Sequence, residues 1–119
     1  MTDELYERAV VVAARAYAPY SNYLVGAVVR TRDGREFEGV NVENAAYPLG
    51  VCAERTALAR AVCEGLRPGD IEAVAITASP CGGCRQWLAE FRVARVVFMH
   101  EGDLLVRTVR ELLPDSFVL

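Results

Sequence analysis

At 119 residues, 53% of them hydrophobic, the chain suits one domain over residues 1–119 with one buried core. Its formal charge is -3 with acids and bases scattered. No Lys/Arg block marks a phosphate-binding face, which argues against a nucleic acid polymer as partner, and no apolar run approaches the ~20 residues that span a bilayer.

Thr2 is placed to cap a helix whose first turn carries Asp3 and Glu4. Leu5, Ala9, Val12, Ala13 and Ala16 recur at helical spacing and give it one apolar face, and Pro19 ends it. Tyr20-Ser21-Asn22-Tyr23 is a loop of turn formers with two aromatics. Strands are expected at 24–31 and 36–42, joined by Asp33-Gly34, a strong hairpin signal. Residues 44–50 return to loop. Residues 52–64 favour helix, stopped by Gly65. The apolar run 71–78 has strand length, Pro80 opens a helix at about 81–91, and 95–99 is a buried-type strand. A fifth strand is expected at 104–109, then a short helical turn ended by Pro114. Strands alternating with helices after a hairpin predict an α/β fold: a mixed five-stranded sheet with helices on both faces. The helix-linked strands should be parallel, with right-handed crossovers.

The opening Met-Thr-Asp-Glu lacks the basic and apolar regions of a signal peptide, so a cytoplasmic chain is expected. Four cysteines there read as metal ligands or buried thiols rather than disulfides. Cys81-Gly-Gly-Cys84 alone is ambiguous among a zinc half-site, a redox pair and two buried thiols. Cys52 and Cys81 each open a predicted helix, however, and the partial positive charge there favours thiolate. Three thiolates at two helix starts make a sensible cation site. Cys63 lies about 16 Å beyond Cys52 along the same predicted helix, too far to share an ion, and is expected to be a small core residue. His100, the one histidine, is expected outside the site as a surface or packing residue.

That leaves three protein ligands. Structural zinc sites are normally filled, whereas catalytic ones keep a position for water. Glu54 follows Cys52 by two residues in the first turn of its helix. It could simply complement the helix dipole, but a carboxylate beside a metal-activated water can also shuttle protons. Cys52-Ala53-Glu54 followed by Pro80-Cys81-Gly82-Gly83-Cys84 matches the three-cysteine form of the zinc deaminase signature.

Across nearly its whole length the chain resembles the small homotetrameric cytidine deaminases. The similarity rests on Pro19-Tyr20-Ser21-Asn22, Val25-Gly26-Ala27, Gly39 to Ala45, Tyr47 to Gly50, Cys52 to Ala57, Ser79 to Gln86, Leu112-Leu113-Pro114 and Phe117, in that order. The resemblance implies a three-layer α/β/α fold and hydrolysis of cytidine and 2′-deoxycytidine to the uridines and ammonia, in pyrimidine salvage. It implies one Zn²⁺ per subunit on Cys52, Cys81 and Cys84, with Glu54 as proton shuttle. Asn41 and Glu43 would hold the ribose hydroxyls, Tyr23 would pack against the base, and the Ala53 N–H would bind the base carbonyl. The Ser79 carbonyl would contact the amine, Phe117 would enter a neighbouring subunit's pocket, and Arg55 would offset thiolate charge. Three features depart from the family: Tyr23 stands for the usual Phe, Gly83 for the usual Ala, which should be tolerated, and the loop between Ala78 and Pro80 is short.

Two other readings compete. A related deaminase could act on another cytosine-bearing small molecule of the blasticidin type, although the Asn41-x-Glu43-Asn44 run favours an ordinary ribose. A non-catalytic zinc protein would have no use for Glu54 beside its metal.

Overall fold

The computed structural model describes residues 2–119, the side chain of Thr2 apart. The cap expected at Thr2 rests on that side chain and so lies outside what is described. The first helix, α1 (Thr2–Ala13), buries Leu5, Ala9 and Val12 as their spacing predicts. It ends well before Pro19 because the following segment is drawn into strand-like pairing. The Tyr17 N–H donates to the Asn41 carbonyl at 3.1 Å, and the Tyr17 carbonyl accepts from the Glu43 N–H at 2.9 Å.

The hairpin forms where expected, with β1 (Gly26–Thr31) and β2 (Glu36–Val40) joined across Asp33-Gly34. A 3₁₀ turn (Tyr47–Leu49) precedes α2 (Ala53–Cys63). Then come β3 (Ile71–Ile76), α3 (Gly82–Glu90), β4 (Arg95–His100), β5 (Asp103–Arg107) and α4 (Val109–Leu112). The last strand stops at Arg107, short of the expected 109, because Thr108 caps α4. Its hydroxyl accepts from the Glu111 N–H at 3.1 Å, and Glu111 Oε1 accepts from the Thr108 N–H at 2.8 Å. This reciprocal pair satisfies two donors that the helix start leaves free.

The five strands lie in the order β2-β1-β3-β4-β5. β3 and β4 are parallel, and the other neighbours are antiparallel. The helix-linked strands β2, β3 and β4 therefore run the same way. Side chains alternate across the sheet. Val28, Ala73, Ala75 and Val97 face Leu5 and Ala9 of α1. Val29, Val74, Ile76 and Val96 face Ala57 and Leu58 of α2 and Leu88 of α3. Truncating one of these, such as the fully buried Leu58, to Ala costs about 2–5 kcal/mol.

Two glycines set how closely the helices approach. A Cβ on Gly26 would strike the Ala9 carbonyl of α1, and one on Gly39 would strike the backbone of Ala57 in α2. Both helices lie directly on the sheet, and α2 thereby starts beside the C-terminal end of β2. Ala27 pairs with Gly39 on one side and Ile76 on the other. The start of β1 and the C-terminal ends of β2 and β3 thus share one edge, the usual place for a ligand in an α/β sheet.

Candidate active site

At that edge Cys52 is the N-cap of α2 and Cys81 the N-cap of α3. The Cys84 N–H donates to Cys81 Sγ at 3.4 Å, and Cys84 itself is fully buried one turn into α3. The Sγ atoms of Cys52, Cys81 and Cys84 all lie within 4.8 Å of one another. Sulfurs on a tetrahedral zinc with 2.3 Å bonds stand about 3.8 Å apart, so the trio fits such an ion after a small closure. A hydrogen bond from Cys84 holds the Cys52 thiol down to about 6. The same bond, together with burial, pushes the Cys84 thiol up. The pair thus holds a thiolate next to a thiol, the chemistry of a donor set that releases protons when it takes a metal.

Glu54 is buried at 4% exposure in the first turn of α2. Burial pushes its carboxyl above the usual range, and the charge on Cys52 pushes it the same way. A carboxyl so placed holds a proton more readily than a solvated one, as a shuttle requires. Arg55 reaches the thiols from the same turn, its Nη2 standing 3.9 Å from Cys81 Sγ. Its Nε is buried with no hydrogen-bond partner among the described residues. Leaving such a donor unpaired costs about 1–3 kcal/mol, which attraction to an anionic thiolate cluster offsets. Gly83 makes room for this contact: a Cβ there would overlap Nη2 of Arg55. Alanine at this position therefore requires the guanidinium to move, a cost hidden from the sequence.

The two residues expected to hold the ribose flank Val42, whose backbone pairs with Val51 immediately before Cys52. Asn41 Oδ1 accepts from the Val25 N–H at 2.8 Å, and its Nδ2 donates to the Tyr23 carbonyl at 3.0 Å. Glu43 Oε1 accepts from the N–H groups of Tyr20 at 2.9 Å and Ser21 at 3.2 Å, and Oε2 accepts from the Ser21 hydroxyl. These bonds, the Ser21 hydroxyl foremost, hold the Glu43 carboxyl below its ordinary value. Both side chains therefore shape the 20–25 loop, and Ser21 belongs to the same unit. No spacing signals Ser21, because its partner lies 22 residues away.

Ala53 opens α2 with its N–H at the helix start, where main-chain donors lack intrahelical acceptors. Tyr23 is 61% exposed, so its extra hydroxyl needs no buried partner, and Phe117 is 71% exposed. Ser79 is also exposed, just before the buried Pro80 that leads into Cys81. His100 ends β4 in solvent, 3.4 Å from Glu101, and is not part of the thiol group. Cys63 contradicts its expected place in the core. It is exposed, because the buried face of α2 is made by Ala53, Glu54, Ala57, Leu58 and Ala61.

The model of the cytidine and deoxycytidylate deaminase zinc-binding region matches residues 1–100. The chain belongs to this family. It is 43% identical to a cytidine deaminase of Halalkalibacterium halodurans, over 95% of this chain and 91% of that one. A cytidine deaminase of Sporosarcina psychrophila is also 43% identical, over 87% of this chain and 81% of the other. The crystal structure of cytidine deaminase from Burkholderia pseudomallei superposes with a TM-score of 0.91 at 45% identity, covering 98% of this chain and 99% of that one. The expected fold is thereby shown, and zinc is the metal that the family and the thiol cluster share.

Proposed function

We propose that the protein hydrolyses cytidine and 2′-deoxycytidine to uridine and 2′-deoxyuridine, releasing ammonia. The observation that carries this is a buried carboxyl, Glu54, in the same helix turn as Cys52 of a three-thiol cluster. Cys52, Cys81 and Cys84 would hold the zinc, which when bound would make a water acidic enough to act as nucleophile at ring C4. Glu54 would pass one proton from the attacking water to ring N3 and a second, from the hydroxyl so added at C4, to the amine, which leaves as ammonia. The Ala53 N–H orients the base by its carbonyl, and the Ser79 carbonyl receives the amine. Asn41 and Glu43 offer their remaining hydrogen-bonding capacity to the ribose, since a carboxylate accepts more bonds than the three Glu43 already receives. Tyr23 lies against the base, and Arg55 balances thiolate charge.

The finer assignment is a cytoplasmic homotetramer in pyrimidine salvage. Free thiols suit a reducing compartment, and no described helix is long and apolar enough to cross a membrane. There is an open groove of about 740 Å³ lined by Val42, Val51 and Trp87 among others, and Tyr47 and Leu49, just before Gly50 in its lining, are exposed. So much exposed apolar surface is usual where subunits meet, and Phe117 is free to enter a neighbour's pocket. Light scattering at micromolar concentration should give the mass of four chains; one chain's mass would refute the assembly.

The deciding experiment follows loss of absorbance near 280 nm on adding cytidine to the parent and to Glu54→Gln, with zinc measured in both. The parent should turn over and the variant should fall by about 10²–10⁴-fold at equal zinc. A zinc-loaded, folded parent inert toward both nucleosides would refute the assignment.

A further inference from the structure

The geometry points to Arg85 as a positioning residue that fixes the Ser79–Pro80 strap and the chain end bearing Phe117 against each other, and so sets Ser79 in this subunit's nucleoside pocket together with the approach of Phe117 to the neighbour's. This rests on the deaminase assignment.

Arg85 sits on α3 one residue beyond Cys84, half-buried. Its guanidinium donates in three directions at once. Nε donates to the Pro80 carbonyl at 2.9 Å, Nη1 to the Leu112 carbonyl at 3.1 Å, and Nη2 contacts Ser79 Oγ at 3.4 Å. The first and third contacts hold the strap between β3 and α3. The second holds the last residue of α4, whose carbonyl has no acceptor role inside so short a helix. α4 is therefore fixed at its start by the Thr108–Glu111 cap and at its end by Arg85. The next side chain on α3, Gln86, extends the hold outward, its Nε2 donating to the Phe117 carbonyl at 3.4 Å.

None of these contacts touches a thiol, and the three thiols take their places from the starts of α2 and α3. The strap carries Ser79, whose carbonyl is the contact proposed for the amine in this subunit's pocket, and the chain end carries Phe117, the side chain proposed to enter a neighbour's. A planar fork with five donors can make three divergent bonds, whereas a lysine ammonium on a flexible stem cannot hold the same three carbonyl and hydroxyl oxygens. Arg85→Lys is therefore the informative variant: it keeps the charge and most of the packing and loses the fork.

The test compares parent and Arg85→Lys by zinc content, melting temperature, amide hydrogen exchange, and kcat and KM for cytidine, with Arg85→Ala as a second variant. Arg85→Lys should hold one zinc per chain and melt within a few degrees of the parent. Its amides at 79, 81, 112, 113 and 115–117 should exchange faster, and KM should rise about ten-fold with kcat changed less than about three-fold. Unchanged exchange in both segments would overturn the strut, whatever the activity. Faster exchange with an unchanged KM would overturn its role in the pocket. A parent that turns over no cytidine would refute the deaminase assignment instead, and the exchange comparison would still decide whether Arg85 holds the two segments.

Discussion

The thiol side of the site is made by two helix starts, with Cys84 and Glu54 buried, Cys52 half-buried and Cys81 exposed, whereas the side proposed for the sugar is an exposed loop held by two side chains. Cys52, Cys81, Cys84 and Glu54 take their positions from the first turns of α2 and α3, which the sheet supports through Gly39 and the apolar faces. Asn41 and Glu43 instead hold the 20–25 loop by five hydrogen bonds, with Tyr20 and Tyr23 exposed. The contrast separates two tasks. Bond-breaking needs groups fixed within a few tenths of an ångström on rigid elements, whereas recognition of a sugar tolerates a surface that the ligand or a neighbouring subunit completes.

If the thiol side is the structural half as well, removing the metal should have the largest effect. Cys84→Ala, or prolonged chelation of the parent, should abolish both zinc binding and turnover. Calorimetry should show melting lowered on the order of 10 °C, because a ligand held at a thousand times its dissociation constant stabilises by about 4 kcal/mol. Unchanged melting on zinc removal would mean that α2 and α3 hold the site without the ion.

The sugar side should respond in KM and leave the metal alone. Glu43→Gln keeps the shape but weakens acceptance from Ser21 and from the N–H groups of Tyr20 and Ser21. KM for cytidine should rise about ten-fold at constant zinc content. The pH dependence has a defined sign. The folded Glu43 carboxyl lies below its ordinary value, so the clamp is intact above the ordinary carboxylate range and is lost as pH falls below it. Loop exchange measured by NMR should therefore be flat from neutral pH down to that range and increase beneath it. The same acid limb in Glu43→Gln would assign it to another group.

This division also explains what the sequence makes legible. Cys-x-Glu and Pro-Cys-x-x-Cys are short motifs at helix starts, so local spacing alone brings their side chains to one point once the helices are recognised. The strand order is legible because apolar runs alternate with helices. The end of α1 is not, since it depends on Tyr17 pairing with the remote 41–43 segment. Cys63 is misplaced for a related reason: composition marks it as a core residue, but the sheet selects another face of α2. The roles of Ser21 and Arg85 arise from side chains crossing between segments, for which periodicity carries no signal.

Gly83 offers the finest probe of the thiol side, because it changes the surroundings of the ligands without touching one. A Cβ at 83 would overlap Nη2 of Arg55, whereas the end of an arginine side chain moves cheaply. Gly83→Ala should therefore fold normally, all the more because alanine favours helix over glycine by up to about 1 kcal/mol. Its guanidinium would sit farther from Cys81 Sγ than the present 3.9 Å, so a positive charge that balances three thiolates acts from a greater distance. Competition against a chromophoric chelator should show zinc held a few-fold less tightly, with melting of the metal-free protein unchanged or slightly raised. Arg55→Gln should weaken zinc further, and adding Gly83→Ala to it should then have no additional effect, because the displaced group is gone. Additive losses would mean that Gly83 acts on the thiols through the α3 backbone instead of through Arg55.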